Sequence, residues 1–210
     1  MIKEEIEIKK EYTVLGSQIC NTVLPLAKLK DRTIIAVCGE SGSGKTVTAT
    51  SLKMQLKENG VSSYILHLDS YFKLPPKENH NKRLEILDWV GAGEVNLELL
   101  QKHVDLFKEG AQVINIPVVD YINNRFEELE LDLRREDVLI IEGVYSFLLE
   151  GINFGIFMER NYLQTKEIRK QRKREVYDGY VEQILEIEHK IIAPLIKKSD
   201  MVIDVNYTIR

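Results

Sequence analysis

Residues 39–46 read Gly-Glu-Ser-Gly-Ser-Gly-Lys-Thr, and no other stretch narrows the possible folds so far. The run before it, Thr33 to Cys38, is apolar and rich in β-branched residues, as a buried strand requires. Residues 45–58 after it read as a helix that stops at Asn59-Gly60, the usual place for a C-cap. A Gly-x-x-x-x-Gly-Lys-Thr loop between strand and helix can curl until successive N–H groups point at phosphate oxygens, and the helix start adds the positive end of its dipole. The whole octet, Gly39, Glu40, Ser41, Gly42, Ser43, Gly44, Lys45 and Thr46, is therefore expected to hold a nucleotide. Lys45 would bridge the β- and γ-phosphates and the Thr46 hydroxyl would hold Mg²⁺, with ATP or GTP as the nucleotide.

The rest of the chain alternates element types. A helix is expected over 11–29, strands over 62–68, 112–118 and 138–141, a helix over 95–108, a long C-terminal helix with one buried stripe, and a last strand over 201–205. Strand and helix in turn imply right-handed βαβ units, hence an α/β fold of three layers, the P-loop NTPase architecture with a mainly parallel sheet. The expected organisation is an N-terminal helical extension over 1–30 and one nucleotide-binding domain over 31–210. Two roles are open to the extension: capping the sheet, or pairing copies into a homo-oligomer.

Composition removes other classes. With 33 acids against 29 bases, a net charge of −4, bulk attraction to nucleic acid or an anionic membrane is weak. The two cysteines, Cys20 and Cys38, are too few for a disulfide scaffold. The first twelve residues alternate charges where a secretory leader needs an apolar run, and the least polar stretch, 12–27, contains Ser17, Gln18, Asn21 and Pro25. A cytoplasmic protein is expected.

Ligands of open α/β sheets bind outside the carboxyl ends of the strands, so acids that follow apolar runs are informative. Asp69 follows Tyr-Ile-Leu-His-Leu, and Glu142 follows Val-Leu-Ile-Ile. One carboxylate can help hold Mg²⁺ and another can orient or deprotonate an attacking hydroxyl. The first role falls to Glu142. The second falls to Asp69, because it opens a segment with Tyr71, Phe72 and Lys73 that could wall an acceptor pocket.

These residues resemble the uridine kinase and phosphoribulokinase family over about residues 33 to 204. Asp69-Ser70-Tyr71-Phe72-Lys73 is similar to the family's acid-Ser-Tyr-aromatic-Lys segment, Ile140-Ile141-Glu142-Gly143 to its strand end, and Pro117 to Tyr121, with Arg125 behind, to its Pro-x-x-Asp-Tyr block. The resemblance implies a kinase for a small molecule, with a nucleoside such as uridine as the first guess. It implies Asp69 as the base for the acceptor hydroxyl, Thr46 and Glu142 as the metal positions, and Tyr71, Lys73, Tyr121 and Arg125 beside the acceptor. Nucleoside-binding members carry an aromatic at Val119 and a histidine near Asn124, and this chain has neither. Residues 160–174 hold seven bases and one acid. By resemblance they belong to a helical lid over about 160–180 whose arginines, Arg169, Arg172 and Arg174, neutralise charge on the γ-phosphate.

Two other classes share the loop: an ATPase or GTPase switch driving a partner, and a nucleotide-binding protein without catalysis, suggested by Asp178-Gly179-Tyr180 where the lid pattern has Arg-Gly-Arg. Asp88-Trp89-Val90-Gly91 matches a switch motif, but no Asn-Lys-x-Asp follows and it reads as a turn. His67, His103 and His189 have no partner at metal spacing and read as structural or exposed.

Overall fold

A computed structural model describes residues 9–29, 32–172 and 179–210, with backbone only at 168, 171, 172 and 179. In chain order the elements are α1 (Lys10–Leu29), β1 (Thr33–Gly39), α2 (Lys45–Glu58), β2 (Ser63–His67), α3 (Pro76–Glu85), α4 (Leu97–Lys108), β3 (Val113–Asp120), β4 (Arg125–Asp132), β5 (Val138–Glu142), β6 (Phe154–Met158), α5 (Lys166–Arg172), α6 (Gly179–Ile192) and β7 (Met201–Ile203). Five strands form one sheet in the order β2-β5-β1-β6-β7, and every pairing in it is parallel.

The period of two along a strand divides the core into two layers. On one face Ile34, Ala36 and Cys38 of β1 and Leu139 and Ile141 of β5 pack with Leu100, Val104 and Phe107 of α4. On the other, Ile35, Val37, Val138 and Ile140 pack with Leu52 and Leu56 of α2 and Leu15, Ile19 and Val23 of α1. The result is the expected three-layer α/β arrangement, with strands apolar on both faces because both are covered.

One strand is not where the alternation predicts. The run at 112–118 forms β3, but it pairs antiparallel with β4 in a separate hairpin rather than entering the sheet. Its first four residues alternate exposed and buried, as in a strand covered on one face, and Pro117 removes a ladder donor. A central parallel strand tolerates neither. Two further strands, β4 and β6, lie outside the runs that the sequence pattern marks as strands.

α1 lies directly on α2. Tyr12 carbonyl accepts the Ser51 hydroxyl at 2.7 Å, and a Cβ built on Gly16 would stand 2.2 Å from Ser51 Oγ and 3.0 Å from its carbonyl carbon. The short Ser51 side chain sits between the two backbones, bonded to α1, and leaves no room there for a Cβ on Gly16. No described helix is long and apolar enough to cross a membrane.

Gly16→Ala should therefore lower unfolding stability by about 1–3 kcal/mol, the usual cost of inserting a methyl into a filled contact. Urea denaturation measures it, and a change under about 0.5 kcal/mol would mean that the helices can separate without cost.

Candidate active site

Three chain segments leave the sheet side by side at its carboxyl edge. Register places Val37 of β1 next to Glu142 of β5, and Glu142 next to His67 of β2. The glycine loop continues from β1, Glu142 ends β5, and Asp69 lies two residues beyond β2. Thus the loop, Glu142 and Asp69 share one edge, in the order the strands dictate.

The loop needs its last glycine. Gly44 has φ 103°, a left-handed value that disfavours a side chain, and an added Cβ would meet the Tyr12 hydroxyl at 3.1 Å and Tyr207 Cε1 at 3.2 Å. Within the loop, Lys45 Nζ donates to the Glu40 carbonyl at 2.8 Å. The Ser43 hydroxyl is buried, has no hydrogen-bond partner among the described residues, and would stand 3.0 Å from a Cβ built on Gly39. Thr46 Oγ1 donates to Glu142 Oε1 at 3.2 Å. That hydroxyl and carboxylate, reached from residues 96 apart, are hard oxygen donors of the kind Mg²⁺ takes.

Glu142 has a second partner that periodicity does not reveal. His67 Nδ1 lies 2.7 Å from the same Oε1, with the imidazole half exposed and the carboxylate buried. Burial alone would raise the Glu142 carboxyl, but His67, Lys45 and Thr46 outweigh it and hold it below the ordinary 4.5. Burial alone would lower the imidazole, but Glu142 outweighs it and raises His67 above 6.5. The only signal in the sequence is that both residues end apolar strands, which becomes a contact once β2 is known to neighbour β5.

Asp69 faces outward for a local reason. Leu68–Tyr71 is one turn of 3-10 helix, in which residues three apart lie above one another. Leu68 and Tyr71 both turn into the core, leaving Asp69 exposed. Asp69 Oδ2 accepts the Tyr121 hydroxyl at 2.9 Å, so the hairpin tip brings a predicted acceptor residue onto the predicted base. Tyr71 is a correction. Expected on the acceptor wall, it is 2% exposed, with its hydroxyl 2.8 Å from His103 Nδ1. Lys73 is exposed, its backbone N–H donating to the Glu94 carbonyl. Arg125 pairs along the hairpin with Glu127 at 2.5 Å and Asp120 at 3.9 Å rather than with Asp69. Asn124, backbone φ 52°, accepts Lys77 N–H at 2.8 Å and donates to Glu78 at 2.6 Å, fastening the hairpin tip to α3.

Behind α3 lies a buried network. The Glu94 carboxylate accepts Arg83, Asn79 Nδ2 and the Gly91 N–H; Arg83 also donates to Glu188 of α6 at 2.9 Å, and Trp89 Nε1 to Asn79 at 2.9 Å. Of the expected lid arginines, Arg169 stands over the glycine loop, its Nη1 on Thr165 Oγ1 at 2.9 Å. Arg174 lies outside the described residues, as does the side chain of Arg172.

The phosphoribulokinase / uridine kinase family model matches residues 34–208. The chain belongs to that family. Its members make it a nucleotide-binding phosphotransferase for a small molecule. It is 25% identical over 188 residues to a uridine kinase of Staphylococcus aureus (strain JH9), covering 83% of this chain and 88% of that one. It is 24% identical to a bifunctional alpha-galactosidase/sucrose kinase of Mediterraneibacter gnavus, of which the matched region spans only 20%. Among solved structures, a possible uridine kinase from Bacillus stearothermophilus superposes with TM-score 0.66 at 21% identity, covering 91% of this chain and 98% of that one. A D-glycerate 3-kinase from Cryptococcus neoformans superposes with TM-score 0.63 at 15% identity, over 93% and 97%.

The His67–Glu142 pair gives a signed pH dependence. A raised imidazole contributes stability below 6.5 and loses it as pH rises through its folded value; a lowered carboxylate contributes above 4.5 and loses it as pH falls through its own. His67→Asn should cost more stability at about pH 6 than at about pH 9. Urea titrations of both proteins at the two pH values check this, and an equal cost at both would exclude a charged pair.

Proposed function

We propose that the protein transfers the γ-phosphate of ATP, or GTP, to an alcohol hydroxyl of a small metabolite, with Asp69 as the general base. The observation that carries this reading is the Tyr121 hydroxyl on Asp69. An O–H group already donates to an exposed carboxylate at the sheet edge shared with the phosphate loop, which is the place an acceptor hydroxyl has to take.

In the proposed reaction the Asp69 carboxylate accepts the proton of the acceptor hydroxyl as its oxygen bonds to the γ-phosphorus. The bond from that phosphorus to the β–γ bridging oxygen breaks, and the nucleoside diphosphate leaves carrying that oxygen. The loop from Gly39 to Thr46 orients the phosphates through backbone N–H groups, and Lys45 neutralises charge on them. Thr46 and Glu142 would hold Mg²⁺, which supplies charge neutralisation when bound. Arg169, with Arg172 and Arg174 of the proposed lid, would stabilise charge on the transferring group. Tyr121 guides the acceptor onto Asp69, and Lys73 and Arg125 flank the entrance.

The relatives include uridine, sucrose and D-glycerate kinases, and what those three acceptors share is a hydroxyl. Uridine comes first for testing, because the uridine kinase match covers most of both chains. Asn124 is committed to Lys77 and Glu78, and Val119, whose N–H donates to Ser70 Oγ, presents no ring. Reading of a pyrimidine would fall to other residues.

Single-turnover transfer from γ-labelled ATP to a panel of nucleosides, sugars and hydroxy acids tests the reading. Asp69→Asn should lower transfer roughly 10²–10⁴-fold, the contribution of a positioned base, while calorimetric ADP uptake stays within about threefold. Full transfer by the variant would remove Asp69 from the mechanism. Nucleotide hydrolysis with no acceptor in the panel would favour a switch.

A further inference from the structure

Glu40 is a chemical oddity. The loop pattern leaves its position free, yet it holds a carboxylate, 5% exposed, inside a loop built to attract anions. A buried negative charge there opposes phosphate binding and costs desolvation, so what it touches has to account for it.

Its two oxygens point to two different elements. Oε2 accepts the backbone N–H of Tyr162 at 2.6 Å, just ahead of α5. Oε1 lies 2.6 Å from Nδ1 of His189, in the last turn of α6. Tyr162 and His189 also touch each other, ring centroids 5.6 Å apart. These residues stand at the two roots of the segment that runs out through α5 and returns through α6. From the first root the contacts lead back to the loop: Thr165 Oγ1 donates to the Ser41 carbonyl at 3.0 Å, Arg169 Nη1 donates to Thr165 Oγ1, and a Cβ on Gly42 would meet Thr165 Cβ at 3.0 Å and Arg169 Cγ at 3.1 Å. Arg169 thus rests on the loop glycine that leaves it room.

We propose that Glu40 is a positioning residue that fastens both roots of the lid to the phosphate loop, so that Arg169 is set over the site by the same backbone that grips the nucleotide. The inference rests on the nucleotide reading above and adds to it a task for the loop's one acid. Neutral side chains of similar length cannot replace it, because two acceptors aimed in divergent directions are needed at once. His189 supplies the second root.

Hydrogen exchange with and without the non-hydrolysable probe AMP-PNP and Mg²⁺ reads the fastening directly. In the wild type, saturating probe should slow exchange across residues 161–172 and 179–192 together. Glu40→Gln and His189→Leu should each lose at least half of that slowing at both roots, at probe concentrations that calorimetry shows to be saturating. The double variant should be no worse than Glu40→Gln, and His189→Gln, which keeps a donor toward Glu40, should recover most of the wild-type pattern. If Glu40→Gln does not fold, the two His189 variants carry the comparison. Wild-type exchange in His189→Leu and Glu40→Gln with probe bound would overturn the anchor alone. Absence of probe uptake by the wild type would overturn the nucleotide reading and the anchor with it.

Discussion

β1 is covered on both faces and paired on both edges, by β5 and β6. Beyond its carboxyl edge the chain passes through the glycine loop into a helix capped at Gly44. The first N–H groups of a helix have no partners within it. A strand end at the sheet edge and a helix start with unsatisfied donors together make the proposed anion site, and the other groups of that site are arranged around this point. Glu142 and His67 reach it because their strands lie next in register, and Asp69 because one tight turn follows β2.

Residues whose roles follow from local chemistry are legible in the sequence. The glycine loop, the apolar runs of β1 and β5, and acids placed just past such runs follow from rules acting over a few residues, and these are the groups found together at the sheet edge. Contacts set by register or by distant packing are not legible. His67 reads as an isolated histidine until β2 is known to lie beside β5. Tyr71 reads as a wall residue because the motif is extended on paper, whereas a 3-10 turn carries it to the inner side with Leu68. The 112–118 run reads as a sheet strand because its β-branched residues suit a central strand or a one-sided ribbon equally, and Asn115 and Pro117 are what mark the ribbon. The two oxygens of Glu40 find partners 122 and 149 residues away, which no window of sequence can contain.

The acceptor side shows how polar residues can be abundant and still be spoken for. α3 carries Asn79 and Arg83, both plausible ligands by type, yet Glu94 and Glu188 absorb them into a buried network that ties α3 to α6. Neighbouring residues of α6 thus serve different partners: Glu188 holds α3 through Arg83, and His189 holds the glycine loop through Glu40. Removing either partner of the Arg83 network would strand charge in the interior, a larger loss than its exposed counterparts on the hairpin would suffer.

The bare contact between Gly16 and Ser51 has a mechanical side. The Ser51 hydroxyl, bonded to the Tyr12 carbonyl, ties the two helices there, since so short a side chain has little freedom to take up shear. α2 begins with Lys45 and Thr46, so a piston-like movement of those residues along the helix axis would strain the Ser51–Tyr12 bond to α1. The proposed phosphate grip is thereby braced from behind, and rearrangement in the proposed transfer would be left to the parts in front.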